Sequence, residues 1–239
     1  MKHFINSLNT ESQETTTNAA IDGFIELITN SSTQLLQKLS ELFKEIITEI
    51  QQSEIGFFRP TFNFTDSTKK RLYICIMPSL VDKLGDRISV KEMITLLKFV
   101  NYILADDYMI EEAVQTAIKL LPSAHQKNIG FSQFGGNLYY KLLEIHKTQD
   151  PEKMKLTSIA IATLFYYYPN DSSGYIQSIY DQFIDNLNGY IKDDTIHLVF
   201  PSIFKAISLI LQIKNLKSYK VFTFIDLKKD HLIDIFNTL

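Results

Sequence analysis

The chain has 239 residues, no tryptophan and a single cysteine, Cys75. One thiol can build neither a disulfide framework nor a cysteine zinc site, so no covalent or metal staple of that kind holds the fold. Glycine and proline are scarce, at 8 and 6 residues. That excludes collagen-like and low-complexity chains and argues against a turn-rich all-β protein. An excess of basic charge is also missing. Lys and Arg number 24 against 27 Asp and Glu, a formal charge of −3. The chain therefore lacks the cationic footprint of a general nucleic-acid binder, and no nucleic-acid partner is expected. Long apolar runs are absent too. The longest uncharged stretch, 156–170, falls short of the roughly 20 residues a membrane-spanning helix needs. It also carries Thr157, Ser158, Thr163 and three tyrosines, so it reads as a buried core helix. The opening residues hold no apolar run long enough for a signal peptide. Together these absences predict a cytoplasmic chain.

What is present is a large apolar fraction. Hydrophobic residues make up 45% and aromatic residues 12%, enough to fill the core of one large or two small domains. Charge is unevenly spread. Residues 1–60 carry 8 acids and 4 bases, whereas 205–239 carry 6 lysines and 3 aspartates. That Lys-rich C-terminal region would permit peripheral contact with an acidic partner or a membrane surface, although six lysines on a solvated face is the simpler account. Lysine outnumbers arginine 21 to 3, the bias of AT-rich coding sequence.

Periodicity organises the chain. Residues 1–18 are polar and read as a flexible arm. A helical pair is expected over 19–53. Its first member has Ile21, Phe24, Ile25 and Ile28 on one side, with Asn30, Ser31 and Ser32 supplying a break and an N-cap. In its second, Leu35, Leu36, Leu39, Leu42, Phe43, Ile46, Ile47 and Ile50 recur at helical steps. Residues 54–66, with four phenylalanines around Pro60, read as an extended linker pinning this pair to the body. The remainder, 67–239, reads as successive helical hairpins. Ser89 and Glu92 match a capping box. Asp106-Asp107 caps a helix that ends at Pro122. Asp150-Pro151-Glu152 combines cap, first-turn proline and acid, opening a helix that ends at Pro169. Asp171-Ser172-Ser173 starts another. Asp193-Asp194 starts a last long helix, interrupted or kinked at Pro201.

Four prolines, Pro78, Pro122, Pro169 and Pro201, each follow an apolar run. The first three are spaced near the roughly 40–47-residue period of HEAT and armadillo repeats, the fourth more closely. Two stretches favour strands, Leu72–Met77 and Val221–Ile225, and would pair as a small two-stranded β element. A terminal helix is expected over Leu227–Asn237.

None of His3, His125, His146, His197 and His231 makes the i, i+4 pair of a helical metal site. Asp106, Asp107, Glu111 and Glu112 would suit a hard cation, but acids at a helix start are explained by the helix dipole alone. Gly135-Gly136 precedes a helix as phosphate-binding turns do, without the remaining glycines or the Lys such loops need. Cys75 sits in an apolar run, as an inert buried thiol does. Tyr166, Tyr167 and Tyr168 spread around a helix end, where core and rim packing accounts for them as well as base stacking does.

The expected fold is therefore all-α: stacked antiparallel hairpins of irregular HEAT or armadillo type, roughly nine to eleven helices, with an appended N-terminal pair. No cofactor and no metal is expected. The expected role is a non-catalytic adaptor or scaffold subunit in a hetero-complex with other proteins. Two alternatives stand beside it: an accessory component of a bacterial secretion system or a secreted effector, and a hydrolase or transferase whose site is assembled from distant residues. The expected partner surface is the apolar stripe Leu35, Leu39, Leu42, Phe43, Ile46 and Ile50, because a polar arm leaves it few neighbours on its N-terminal side. Packing of the same stripe on Val90–Leu121 is the competing expectation.

Overall fold

A computed structural model describes residues 14–55, 61–63, 66–148, 150–192 and 196–213. Nine α-helices run through these residues, in the stacked, mainly α arrangement that periodicity predicts. The chain divides into two compact units, Met1–Ile129 and Gly130–Leu239.

In the first unit lie α1 (Glu14–Thr29), α2 (Leu36–Ser53), α3 (Ser67–Leu84), α4 (Val90–Ile103) and α5 (Ile110–Gln126). α1 begins within the stretch read as a polar arm. α3 packs on both α1 and α5, while α2 and α4 pack on each other and on α3 and α5 respectively. Two layers result, α1–α3–α5 and α2–α4, as expected when consecutive hairpins stack side by side.

α3 corrects the strand expected at Leu72–Met77. The stretch is rich in β-formers, yet Leu72, Tyr73, Ile76, Met77, Leu80 and Leu84 recur at helical steps and all are buried. Packing on three neighbouring helices outweighs a local β preference of about 1 kcal/mol or less per residue. Asp66 caps α3 by accepting from the Lys69 amide at 2.9 Å. The helix runs through Pro78. Proline has no N–H, so the carbonyl four residues back, that of Ile74, loses its helical donor. The buried Thr116 hydroxyl of α5 donates to that carbonyl at 2.9 Å. Pro122 and Pro201 likewise lie inside helices rather than at their ends. Only Pro169 of the four stands at a boundary, as the first residue of α8 (Pro169–Lys192).

Local signals divide into those obeyed and those overridden. The capping box forms: the Ser89 hydroxyl accepts from the Glu92 amide and the Glu92 carboxylate accepts from the Ser89 amide. Ser32 stands at the N-cap of a 3₁₀ turn, Thr33–Leu35, but makes no side-chain cap bond. Asp106-Asp107 does not cap α5, whose N-cap is Met109. The Asp106 carboxylate accepts from the Tyr108 amide at 3.2 Å instead. The expected linker contains a two-residue antiparallel ladder, β1 (Glu54–Ile55) with β2 (Thr61–Phe62), Glu54 lying opposite Phe62. Phe62 is buried against Phe99 and Tyr102 of α4, ring centroids 5.7 and 5.1 Å away.

The second unit holds α6 (Gly135–His146), α7 (Pro151–Tyr167), α8 and α9 (Ile196–Leu211). α7 is central, packing on α6, α8 and α9. Its cap is as expected, Asp150 accepting from the amides of Glu152 and Lys153 at 3.0 and 3.4 Å. Residues 160–165 of α7 are buried without interruption, which is what the uncharged second half of a helix enclosed by neighbours requires. Gly135 lies in the first turn of α6 beneath Phe131, where a Cβ would fall 2.2 Å from the ring. Close packing, not a phosphate, accounts for a glycine there. The expected strand Val221–Ile225, the terminal helix Leu227–Asn237 and the start signal Asp193-Asp194 lie outside the described residues.

Candidate functional site

Three consecutive cations at the start of α3 organise the first unit. Lys69 pairs with Glu49 of α2 at 3.0 Å, Lys70 with Asp106 after α4, and Arg71 with Glu112 of α5 at 3.1 Å. Helical geometry explains the fan, because successive side chains point about 100° apart. Glu49 also accepts from the Tyr73 hydroxyl at 2.6 Å. Burial and this bond to Glu49 raise the Tyr73 phenol above its ordinary range. Partly exposed pairs of this kind contribute about 1 kcal/mol or less each. Their role here is to set which helix faces which.

The acidic cluster of the sequence is thereby divided. Asp106 and Glu112 serve different cations of α3, and Glu111 accepts from Gln115 on its own helix at 3.1 Å. Among the described residues no group of three or more His, Cys, Asp or Glu is placed to hold a metal ion.

The Arg71–Glu112 pair lines a cleft of about 350 Å³ along the α1–α3–α5 layer. α1 contributes Asn18, Ile21, Asp22 and Ile25; α3 adds Cys75 and Pro78; α5 adds Glu111, Gln115 and Thr116. Three carboxylates and one guanidinium thus line the cleft. Cys75 is partly exposed rather than fully buried. Burial, helped by Glu112 and opposed by Arg71, pushes its thiol up to about 11. A thiol so placed is a poor nucleophile. A smaller hollow, about 320 Å³, lies beside Lys70, Tyr102 and Asp106, with Tyr108 at its edge 92% exposed.

The stripe expected to meet a partner lies elsewhere. Leu39, Leu42, Phe43, Ile46 and Ile50 are all buried by this chain's own helices, and only Leu35, at 37%, is exposed. α2 packs on α3 and α4, so the residues are reached only by displacing those helices.

In the second unit the tyrosine run separates by depth. Tyr168 is buried against Phe131 and Phe134, while Tyr166 is exposed. His146 is fully buried at the end of α6. Its Nδ1 lies 3.1 Å from Thr157 Oγ1 and its Nε2 2.8 Å from Asn186 Nδ2. The Glu144 two residues before it is exposed and pairs with Lys141.

Asp22, Arg71 and Glu112 lie on three different helices, so no spacing along the sequence marks them as a group. The one available signal was Arg71 itself, one of three arginines in a chain of 21 lysines, since bidentate pairing is what distinguishes arginine from lysine. No helix of the described residues is long and apolar enough to cross a membrane. No protein-family model matches the chain, and neither a curated protein nor a solved structure is significantly similar to it.

Proposed function

We propose that the protein is a non-catalytic adaptor, a subunit that binds other proteins within a larger assembly. The cleft on the α1–α3–α5 layer carries this reading. Stacked helical layers offer extended surfaces to partners, and this one holds a concave site large enough for one or two side chains. Its lining is suited to recognition: a guanidinium–carboxylate pair, two further carboxylates, and a thiol held protonated. The surplus of carboxylate suits a Lys or Arg side chain of the partner.

Affinity purification from the native cell, with mass spectrometry, tests it. The wild-type chain should recover a reproducible stoichiometric protein. The double variant Asp22→Lys, Glu111→Lys should lose it more than about tenfold while its helical circular dichroism and melting stay unchanged. A partner-free monomer carrying a bound small molecule would refute the adaptor reading and favour an enzyme. A partner held equally well by the double variant would move the binding surface away from the cleft.

A further inference from the structure

His146 lies in the second unit, outside the cleft and outside the adaptor reading. It occupies the core register of α6, four residues after Leu142, and is fully buried with Phe183 edge-on at 5.4 Å. Its hydrogen bonds run through three helices. The Thr157 hydroxyl donates to the Lys153 carbonyl at 2.8 Å, so Thr157 accepts from His146 Nδ1–H. The bare Nε2 then accepts from Asn186 Nδ2, and Asn186 Oδ1 accepts from Gln182 Nε2 at 3.0 Å. Each group uses a donor where its neighbour needs one. We propose that His146 is an acid-sensitive latch: a proton on Nε2 meets the Asn186 amide donor, breaks the chain and frees α8 from α6 and α7.

Turning both the Asn186 and Gln182 amides over would restore the hydrogen bonds. It would still leave a full charge buried with no anion beside it, the costly case. Charged groups on the surrounding helices do not rescue it. On α6, Glu144 is exposed, as is Lys147 just after it; on α7, Lys153 is partly exposed; on α8, Asp185 is exposed and Asp181 partly so; on α9, Lys205 is exposed. None of them acts on the imidazole, which burial alone pushes down to about 4. The open state takes up its proton near the ordinary ~6.5, whereas the closed state resists until about 4. The closed state is therefore fully favoured above that upper value and loses ground as pH falls through the window. At pH 5 the ratio of open to closed rises about 30-fold.

Hydrogen exchange of the full chain at pH 7.5 and pH 5, corrected for intrinsic rates, tests the latch. Peptides covering 142–158 and 180–187 should exchange about 30-fold faster at the lower pH, while those of α2 and α3 stay within a few-fold. His146→Gln removes the proton acceptor, and Asn186→Asp supplies an anion for the imidazolium, so each should abolish the acid response. Protection in the wild type that persists at pH 5, or an acid response that survives in Asn186→Asp, overturns the proposal. Should His146→Gln fail to fold, the imidazole resonances of the wild type decide: titration of His146 above about pH 6 overturns it, and its absence down to pH 5 supports it.

Discussion

The repair of the Ile74 carbonyl, left without its helical donor by Pro78, allows a quantitative test. Thr116→Val keeps the shape of the side chain and removes the hydroxyl that donates to the Ile74 carbonyl. Thr116 and Ile74 are both buried, so water cannot take over. The orphaned carbonyl should cost about 1–3 kcal/mol, the penalty for an unsatisfied buried acceptor. Pro78→Ala returns an N–H to the same carbonyl. In that background Thr116→Val should cost under about 0.5 kcal/mol, giving a coupling of roughly 1–2 kcal/mol between two residues on different helices. Pro78→Ala alone should be stabilising, by up to about 3 kcal/mol, if α3 straightens without disturbing α5. The assay is urea unfolding followed by far-ultraviolet circular dichroism, because the chain has no tryptophan. Midpoints should shift with slopes unchanged. Additive single and double variants would refute the argument that Thr116 replaces the bond that proline removes.

Three further outcomes are expected. Gly135→Ala drives a Cβ into the Phe131 ring and should cost about 1–3 kcal/mol, whereas Gly136→Ala, with nothing within 4 Å, should stabilise α6 by about 0.5–1 kcal/mol; thermal melts of the two variants should move in opposite directions. Ile46→Ala and Leu39→Ala should each cost about 2–5 kcal/mol in urea titrations, because both are nearly fully buried; near-normal stability would place them on an open surface after all. Cys75, held protonated to about 11, should react with iodoacetamide on the order of 100-fold more slowly than free cysteine in neutral buffer, and equal rates would show that α1 does not shelter it.

Whatever depends on spacing along one helix could be read from the residues in order. The stripe from Leu39 to Ile50 follows helical periodicity, and burial confirms that side of α2 as apolar core. The Ser89–Glu92 box and the Asp150 cap are contacts within four residues, so no distant partner could alter them. The uncharged stretch that closes α7 had to be largely enclosed, since nothing on it could face water with a charge, and residues 160–165 are buried. Tertiary structure decided what local preference leaves balanced. Leu72–Met77 favours a strand by side-chain type, but three neighbouring helices bury it as α3, and Thr116 repairs the carbonyl that Pro78 leaves without a donor. Asp106 and Glu112 look like a single acidic cluster in the sequence and become partners of Lys70 and Arg71 only when α3 packs against α5. The cleft and the His146–Asn186 contact join residues about 40 or more positions apart. Such contacts depend on how helices stack, and a periodic pattern specifies which face of a helix is buried without naming the helix that buries it.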